Sequence, residues 1–204
     1  MKRSQEIDMS SRHEITRADI MDMDAYAKER RARHRLISDI KKNRRVEVGP
    51  FATFYFENYE TMWHQIHEML YIEKGGENQI ADELRAYNPL IPNGRELVAT
   101  LMFEIDDKHR RGRELVRLGG VEESVTLTVD GETIAAVPEM DVERTTREGR
   151  TSSVHFLHFP FTPEQAARFK TPGARVALGI GHENYPHMAV LPESIRAALA
   201  ADLD

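Results

Sequence analysis

Residues 124–137 read SVTLTVDGETIAAV: two arms of alternating apolar and small polar residues around Asp130-Gly131. An Asp-Gly pair suits a two-residue type I′ turn, because both central residues need positive φ and the primed turn matches strand twist. That register places Leu127 opposite Ile134 and Val125 opposite Ala136 on one face. Thr126 and Thr128 meet Ala135 and Thr133 on the other, wetter face. The hairpin commits at least this part of the chain to antiparallel pairing.

The surrounding sequence supplies its partners. Upstream, ELVATLMFEI (96–105) is apolar at nearly every position and reads as a central strand. Before it, Val46/Val48 and Phe54/Phe56 alternate around a Gly49-Pro50 break, which gives two short strands or one bent one. Downstream, SSVHFLHFPF (152–161) and ARVALGIG (174–181) read as strands, HENYPH (182–187) as a turn and MAVL (188–191) as the returning strand. Thr16-Arg17-Ala18-Asp19 resembles a capping box, from which a long helix is expected to run to about Lys42, with Ile20, Tyr26, Leu36, Ile37 and Ile40 as its broken apolar stripe. Asn58 caps a second helix whose Met62, Ile66, Met69 and Leu70 share one side. Further helices are expected over 77–87, over 106–120, after the Thr162-Pro163-Glu164-Gln165 start, and over 192–203. The count is about six strands and five helices, with hairpins outnumbering strand–helix–strand units. The expected fold class is α+β: a single domain with an antiparallel or mixed sheet, helices packed on it, and a long N-terminal helix. Residues 1–13 are expected to be a flexible N-terminus, 14–45 the basic N-terminal helix, 46–204 the sheet-containing body, and 139–151 a charged loop.

Composition bounds the chemistry. At 204 residues, 40% hydrophobic and 30% charged, the chain suits one well-cored domain. The absence of cysteine excludes disulfides, thiolate zinc sites, cysteine-ligated iron–sulfur clusters and cysteine nucleophiles. No apolar run suggests a signal peptide or a membrane span, so a cytoplasmic protein is expected. The net charge of −6 conceals an asymmetry: residues 1–45 hold 13 Lys/Arg against 8 Asp/Glu, which leaves 15 against 26 in the remainder. Within KERRARHRLISDIKKNRR (28–45) there is no stacking aromatic, so nucleic acid is disfavoured and docking on a partner, or on the chain's own acidic body, is expected.

Two histidine-rich stretches compete as metal sites. GHENYPH (181–187) puts two imidazoles and a carboxylate at a strand end, and His155 from the neighbouring strand can join them. His155, His182, Glu183 and His187 are therefore candidate ligands for iron, zinc or manganese. In WHQIHEML (63–70), His64 and Glu68 stack at helical spacing below Glu60, with His67 beside them. Opposite the Met62/Ile66/Met69/Leu70 side they read as a solvated helix face. No G-x-S-x-G elbow, P-loop or dinucleotide fingerprint occurs. The AYNPLIPNG link offers Asn88, Leu90 and Ile91 as a contact ridge between prolines.

Taken with VGPFATFYFEN (48–58), QIHEML (65–70), SSVHFLHF (152–159) and LPESIRAALAADL (191–203), the run ENQIADELRAYNPLIPNGRELVATLMFEI (77–105) resembles the bacterial domain-of-unknown-function family numbered 3501. The likeness covers about residue 14 to the C-terminus. It implies a single-domain protein without agreed catalytic residues, and a setting beside rubrerythrin-like proteins and iron–sulfur oxidoreductases. His155, His182, Tyr185 and His187 lie in segments that match the family pattern, whereas His64, His67 and His158 depart from it. Two functional expectations follow: a non-enzymatic accessory protein in a redox or peroxide-stress system, or a small mononuclear metalloprotein with its site at the 181–187 turn.

Overall fold

The computed structural model describes residues 12–139 and 149–204. In it Asp130 and Gly131 both take positive φ, 47° and 91°, as the type I′ turn requires. Leu127 pairs with Ile134, Thr128 with Thr133 and Thr126 with Ala135, the register expected from the alternation. Among the described residues, the elements in chain order are α1 (Met23–Lys42), β1 (Arg45–Val48), β2 (Ala52–Phe56), α2 (Tyr59–Glu73), α3 (Glu77–Tyr87), β3 (Glu96–Phe103), α4 (Lys108–Arg117), β4 (Val125–Val129), β5 (Glu132–Ala135), β6 (Val137–Pro138), β7 (Val154–Pro160), α5 (Pro163–Lys170), β8 (Val176–His182), β9 (Tyr185–Val190) and α6 (Glu193–Ala200).

The strands form two antiparallel sheets rather than one, ordered β1-β2-β3-β7-β6 and β5-β4-β8-β9. β3 is central in the first sheet, as its nearly continuous apolar run implied. Its Leu97, Ala99, Leu101 and Phe103 join Phe54, Leu157, Leu127 and Leu178 in one core shared by the two sheets. α5 and α6 add Phe169, Ile195 and Leu199 to that core. Val98 and Phe156 face the other way, against Met62, Ile66 and Leu70 of α2 and Ile80 of α3. The first sheet is thus covered by a sheet on one face and by helices on the other, which is why β3 is apolar at nearly every position.

α1 begins later than expected. The Thr16/Asp19 box closes only one turn, Arg17–Asp19; Ile20 is then extended and buried, and Asp22 caps the long helix by accepting from Asp24 N and Ala25 N at 3.1 Å. Of the expected stripe, Tyr26 and Ile37 are buried on α1, whereas Leu36 points to solvent. α1 lies against α2, with Tyr26 fully buried against Trp63 and Tyr71 and Arg30 paired with Glu68. Arg12 and His13 are also tethered, Arg12 to Asp19 and the Tyr59 hydroxyl, His13 to the Pro92 carbonyl at 2.7 Å. The remainder of the expected flexible N-terminus, and most of the 139–151 loop, fall outside the described residues. No described helix is long and apolar enough to cross a membrane.

A candidate metal centre between the first two helices

Four-residue spacing puts Tyr26, Arg30 and His34 in a row along α1, and His64 and Glu68 in a row along α2. α2 is fixed at its start by the Asn58 carboxamide, which accepts from Thr61 N at 3.0 Å. Because α1 covers this side of α2, the face expected to meet water is buried: His64 is 7% exposed and His67 fully buried. The reading of His64 and Glu68 as a solvated face is therefore corrected by a helix that propensity alone could not place.

Glu68 is the hub. The Tyr26 hydroxyl donates to its Oε1 at 2.6 Å; Arg30 donates from Nε to Oε1 at 2.9 Å and from Nη2 to Oε2 at 2.7 Å. His34 Nε2 stands 3.2 Å from the same Oε2. The His34 and His64 rings meet edge-on, centroids 4.8 Å apart. One ligand atom from each of His34, His64 and Glu68 can be chosen so that all lie within 4.8 Å of one another. His64 and Glu68 are shielded, while the His34 side chain keeps 45% of its exposure, so the group has a buried floor and an open rim.

The electrostatics define protonation states. The Arg30 guanidinium, with the Tyr26 hydroxyl, holds the Glu68 carboxyl down to about 2 against the opposing effect of burial. Burial pushes His64 down to about 4. Tyr26 is raised, by burial first and then by Glu68. At neutral pH the pair is therefore a carboxylate and a neutral imidazole, the forms that bind metals. Since Tyr26 donates to Glu68, its oxygen accepts from His64 Nδ1–H at 3.3 Å, which leaves His64 Nε2 as the unprotonated nitrogen.

His67 has a different task. Its Nε2 accepts from Met21 N at 3.0 Å, so Nδ1 carries the proton and donates to the Trp63 carbonyl at 2.7 Å. The ring stacks on Trp63 at 3.6 Å, and burial lowers its pKa to about 4. Both nitrogens are committed; His67 pins the chain leading into α1 and offers no ligand atom.

The turn expected over 182–187 is shorter, because β8 runs through His182 and β9 already starts at Tyr185, and the residues singled out there do not form a comparable group among the described residues. His155 is buried on β7, its Nε2 3.1 Å from Thr151 Oγ1 and 3.0 Å from the Ser152 carbonyl. His182 Nε2 donates to the Gly119 carbonyl at 3.2 Å while Nδ1 accepts from Asn184 N. Glu183 is exposed, and His187, also exposed, packs edge-on against Tyr185 with centroids 4.4 Å apart. The hairpin instead works through Tyr185, the first residue of β9, whose hydroxyl donates to Val48 O at 2.8 Å and accepts from Phe51 N and Ala52 N at 3.1 Å, tying the second sheet to the β1–β2 corner. The proposed contact ridge is corrected as well: Leu90 and Ile91 are 1% and 4% exposed in the core under α2, and the Asn88 carboxamide is spent on the backbone of Ile15.

His34 and Arg30 escaped the sequence reading because they sit in a segment dominated by charge. The available signal was the Tyr26–Arg30–His34 spacing, which matches the His64–Glu68 spacing on the next helix.

Comparison with known proteins agrees with the sequence likeness and adds no activity. A solved structure described as a novel protein of unknown function from Burkholderia pseudomallei K96243 is 40% identical, with a TM-score of 0.86, over 93% of this chain and 99% of that one. No curated protein matches the chain. The family model described as a protein of unknown function, DUF3501, matches residues 14–203, nearly the whole sequence, and the chain belongs to that family.

Proposed function

We propose that the protein binds a single first-row divalent metal ion through His34, His64 and Glu68. The observation that carries this reading is the convergence of two imidazoles and one carboxylate from two helices, with the His64 and Glu68 protonation states already suited to ligation. The 3.2 Å separation of His34 Nε2 and Glu68 Oε2 is the spacing of two atoms sharing one ion as readily as one proton. Two histidines and one carboxylate leave coordination positions open, a donor set suited to iron, manganese or zinc. Tyr26 orients the carboxylate, as the second layer of a metal site does, whereas Arg30 competes with the ion for it. For an ion to enter, Arg30 must yield part of its hold on Oε2 while its Nε contact to Oε1 persists.

With iron or manganese the site would be a redox centre without thiols. A chain that has no cysteine would then draw electrons from a partner, and the family likeness points to iron–sulfur oxidoreductases or rubrerythrin-like proteins as that class. The buried Leu90 and Ile91 cannot supply the contact.

The test is elemental analysis of tag-free protein, with cobalt(II) substitution read by visible absorption. The expected result is near one ion per chain, lost in His64→Ala and Glu68→Gln and retained in His182→Ala. A protein that takes up no iron, manganese, zinc or cobalt, or one whose metal survives both α2 substitutions, would overturn the assignment and leave the cluster as a clamp between two helices.

A further inference from the structure

A second polar group is buried at the start of α2. Glu57 follows β2 directly, is 6% exposed, and is held by its own backbone N–H to Val98 O at 2.8 Å. Its carboxylate accepts from Thr61 Oγ1 at 2.7 Å on Oε2 and from Thr100 Oγ1 at 2.8 Å on Oε1. Both partners are neutral. Among the described residues no Lys, Arg or His nitrogen approaches the Glu57 carboxylate within 4.0 Å. Arg44 reaches only the Glu57 carbonyl at 3.4 Å, because its guanidinium is spent on Asp202 at 2.7 and 2.8 Å. A carboxylate carries about four lone-pair sites, so two remain after the threonines.

Glu57 lines a cavity of about 290 Å³ between the first sheet, α2 and the end of α3. The other walls include Met62, Tyr87, Leu90, Met102 and Phe156, with Lys41 and Gln65 also contributing. One shielded carboxylate within thioether, aliphatic and aromatic walls is the composition of a small-molecule site rather than an inorganic one. A hard dication wants about six oxygens, several of them charged, and this cavity offers one carboxylate beside the neutral oxygens of Tyr55, Gln65 and Thr100. An ammonium group needs less: it donates to the vacant carboxylate positions and gains from nearby aromatic faces, while its carbon body fills the apolar volume.

We propose that this cavity binds a small primary ammonium ligand with a compact apolar body, and that Glu57 is its counter-ion. The assignment shares no residue with the metal centre and does not depend on it.

The experiment is calorimetric titration of the tag-free protein with 3-methylbutylamine, leucine and 4-methylpentanoate, which share a branched apolar body and differ in charge. Saturable binding of 3-methylbutylamine is expected, with 4-methylpentanoate weaker by roughly tenfold or more, a gap of the size one buried charge contact supplies. Leucine, which carries the same branched body and ammonium group, is expected to bind within about tenfold of the amine. Glu57→Gln should abolish amine binding with the circular dichroism spectrum unchanged. Met102→Phe, which fills the cavity and leaves Glu57 intact, should do the same and serves as the reading if the Gln variant does not fold. The proposal is overturned if 4-methylpentanoate binds as tightly as the amine. It is equally overturned if amine binding survives Met102→Phe, or if no primary amine from three to eight carbons saturates the protein at millimolar concentration.

Discussion

The molecule has two histidine-bearing regions with opposite histories. At the β8–β9 turn, His182 and His187 are close in sequence, yet each is absorbed by its own neighbour: one by Gly119 O, the other by the Tyr185 ring. At the α1–α2 contact, His34 and His64 lie thirty residues apart and their rings meet at 4.8 Å over one carboxylate. Density along the chain produced a hairpin, and helix packing produced a candidate site. A ligand set needs side chains that point at a common volume, and in a strand-turn-strand the backbone already claims the polar atoms.

That contrast can be broken by substitution. The largest expected effect is at the turn: Tyr185→Ala should cost about 3–5 kcal/mol, because it empties a core position and strands three backbone groups. Denaturant unfolding measures it, and metal content should not change. Next is Glu68→Ala, which leaves Arg30 and Tyr26 without their acceptor and should cost about 2–4 kcal/mol. Unlike the Tyr185 change, it should also remove the ion; equal metal content in both variants would erase the distinction between the regions. Gly49→Ala comes third, at about 1–2 kcal/mol. Gly49 has φ +72°, and a Cβ there would lie 2.6 Å from the His187 ring and 2.7 Å from the Tyr185 hydroxyl. A melting temperature equal to wild type would show that the turn is not fastened there.

Arg30→Met sharpens the helix side. It removes the cation that shares Glu68, so cobalt affinity should rise roughly tenfold, about 1.4 kcal/mol, while the helix contact weakens. Unchanged affinity would mean that Arg30 does not compete with the ion.

The smallest effect lies in neither region and serves as a reference. His158 Nδ1 is 3.0 Å from Glu96 and its Nε2 3.6 Å from Glu139; the Glu96 hydrogen bond, followed by charge from both carboxylates, raises its pKa above the ordinary 6.5 despite burial. The folded state therefore holds this proton more tightly than the unfolded chain. Its stabilisation is complete below pH 6.5 and fades as pH rises through the higher folded value. The contribution should stay below about 1 kcal/mol. Unfolding free energies across that range, for wild type and His158→Gln, should diverge on the acid side; parallel curves would refute the assignment.

Local chemistry made much of the fold legible. The Asp130-Gly131 hairpin, the Asn58 cap, the box at Thr162 and Gln165 and the central β3 can each be read from a few adjacent residues. The start of α1 is not legible in the same way, because a capping box can close a single turn as well as a long helix. The division into two sheets was not legible, since an alternating strand shows which face is apolar and not which sheet will meet it.

The sequence alone determined the Asp130-Gly131 hairpin, the caps of α2 and α5, the lack of thiol chemistry and the family, because these depend on bonds and spacings within a turn or two of chain. Only the tertiary structure decided that α1 covers α2, turning the apparent wet face of His64 and Glu68 into a buried cluster, and that Leu90 and Ile91 point inward. Burial is a property of what packs against a residue from elsewhere in the chain, and short-range pattern carries no record of that partner.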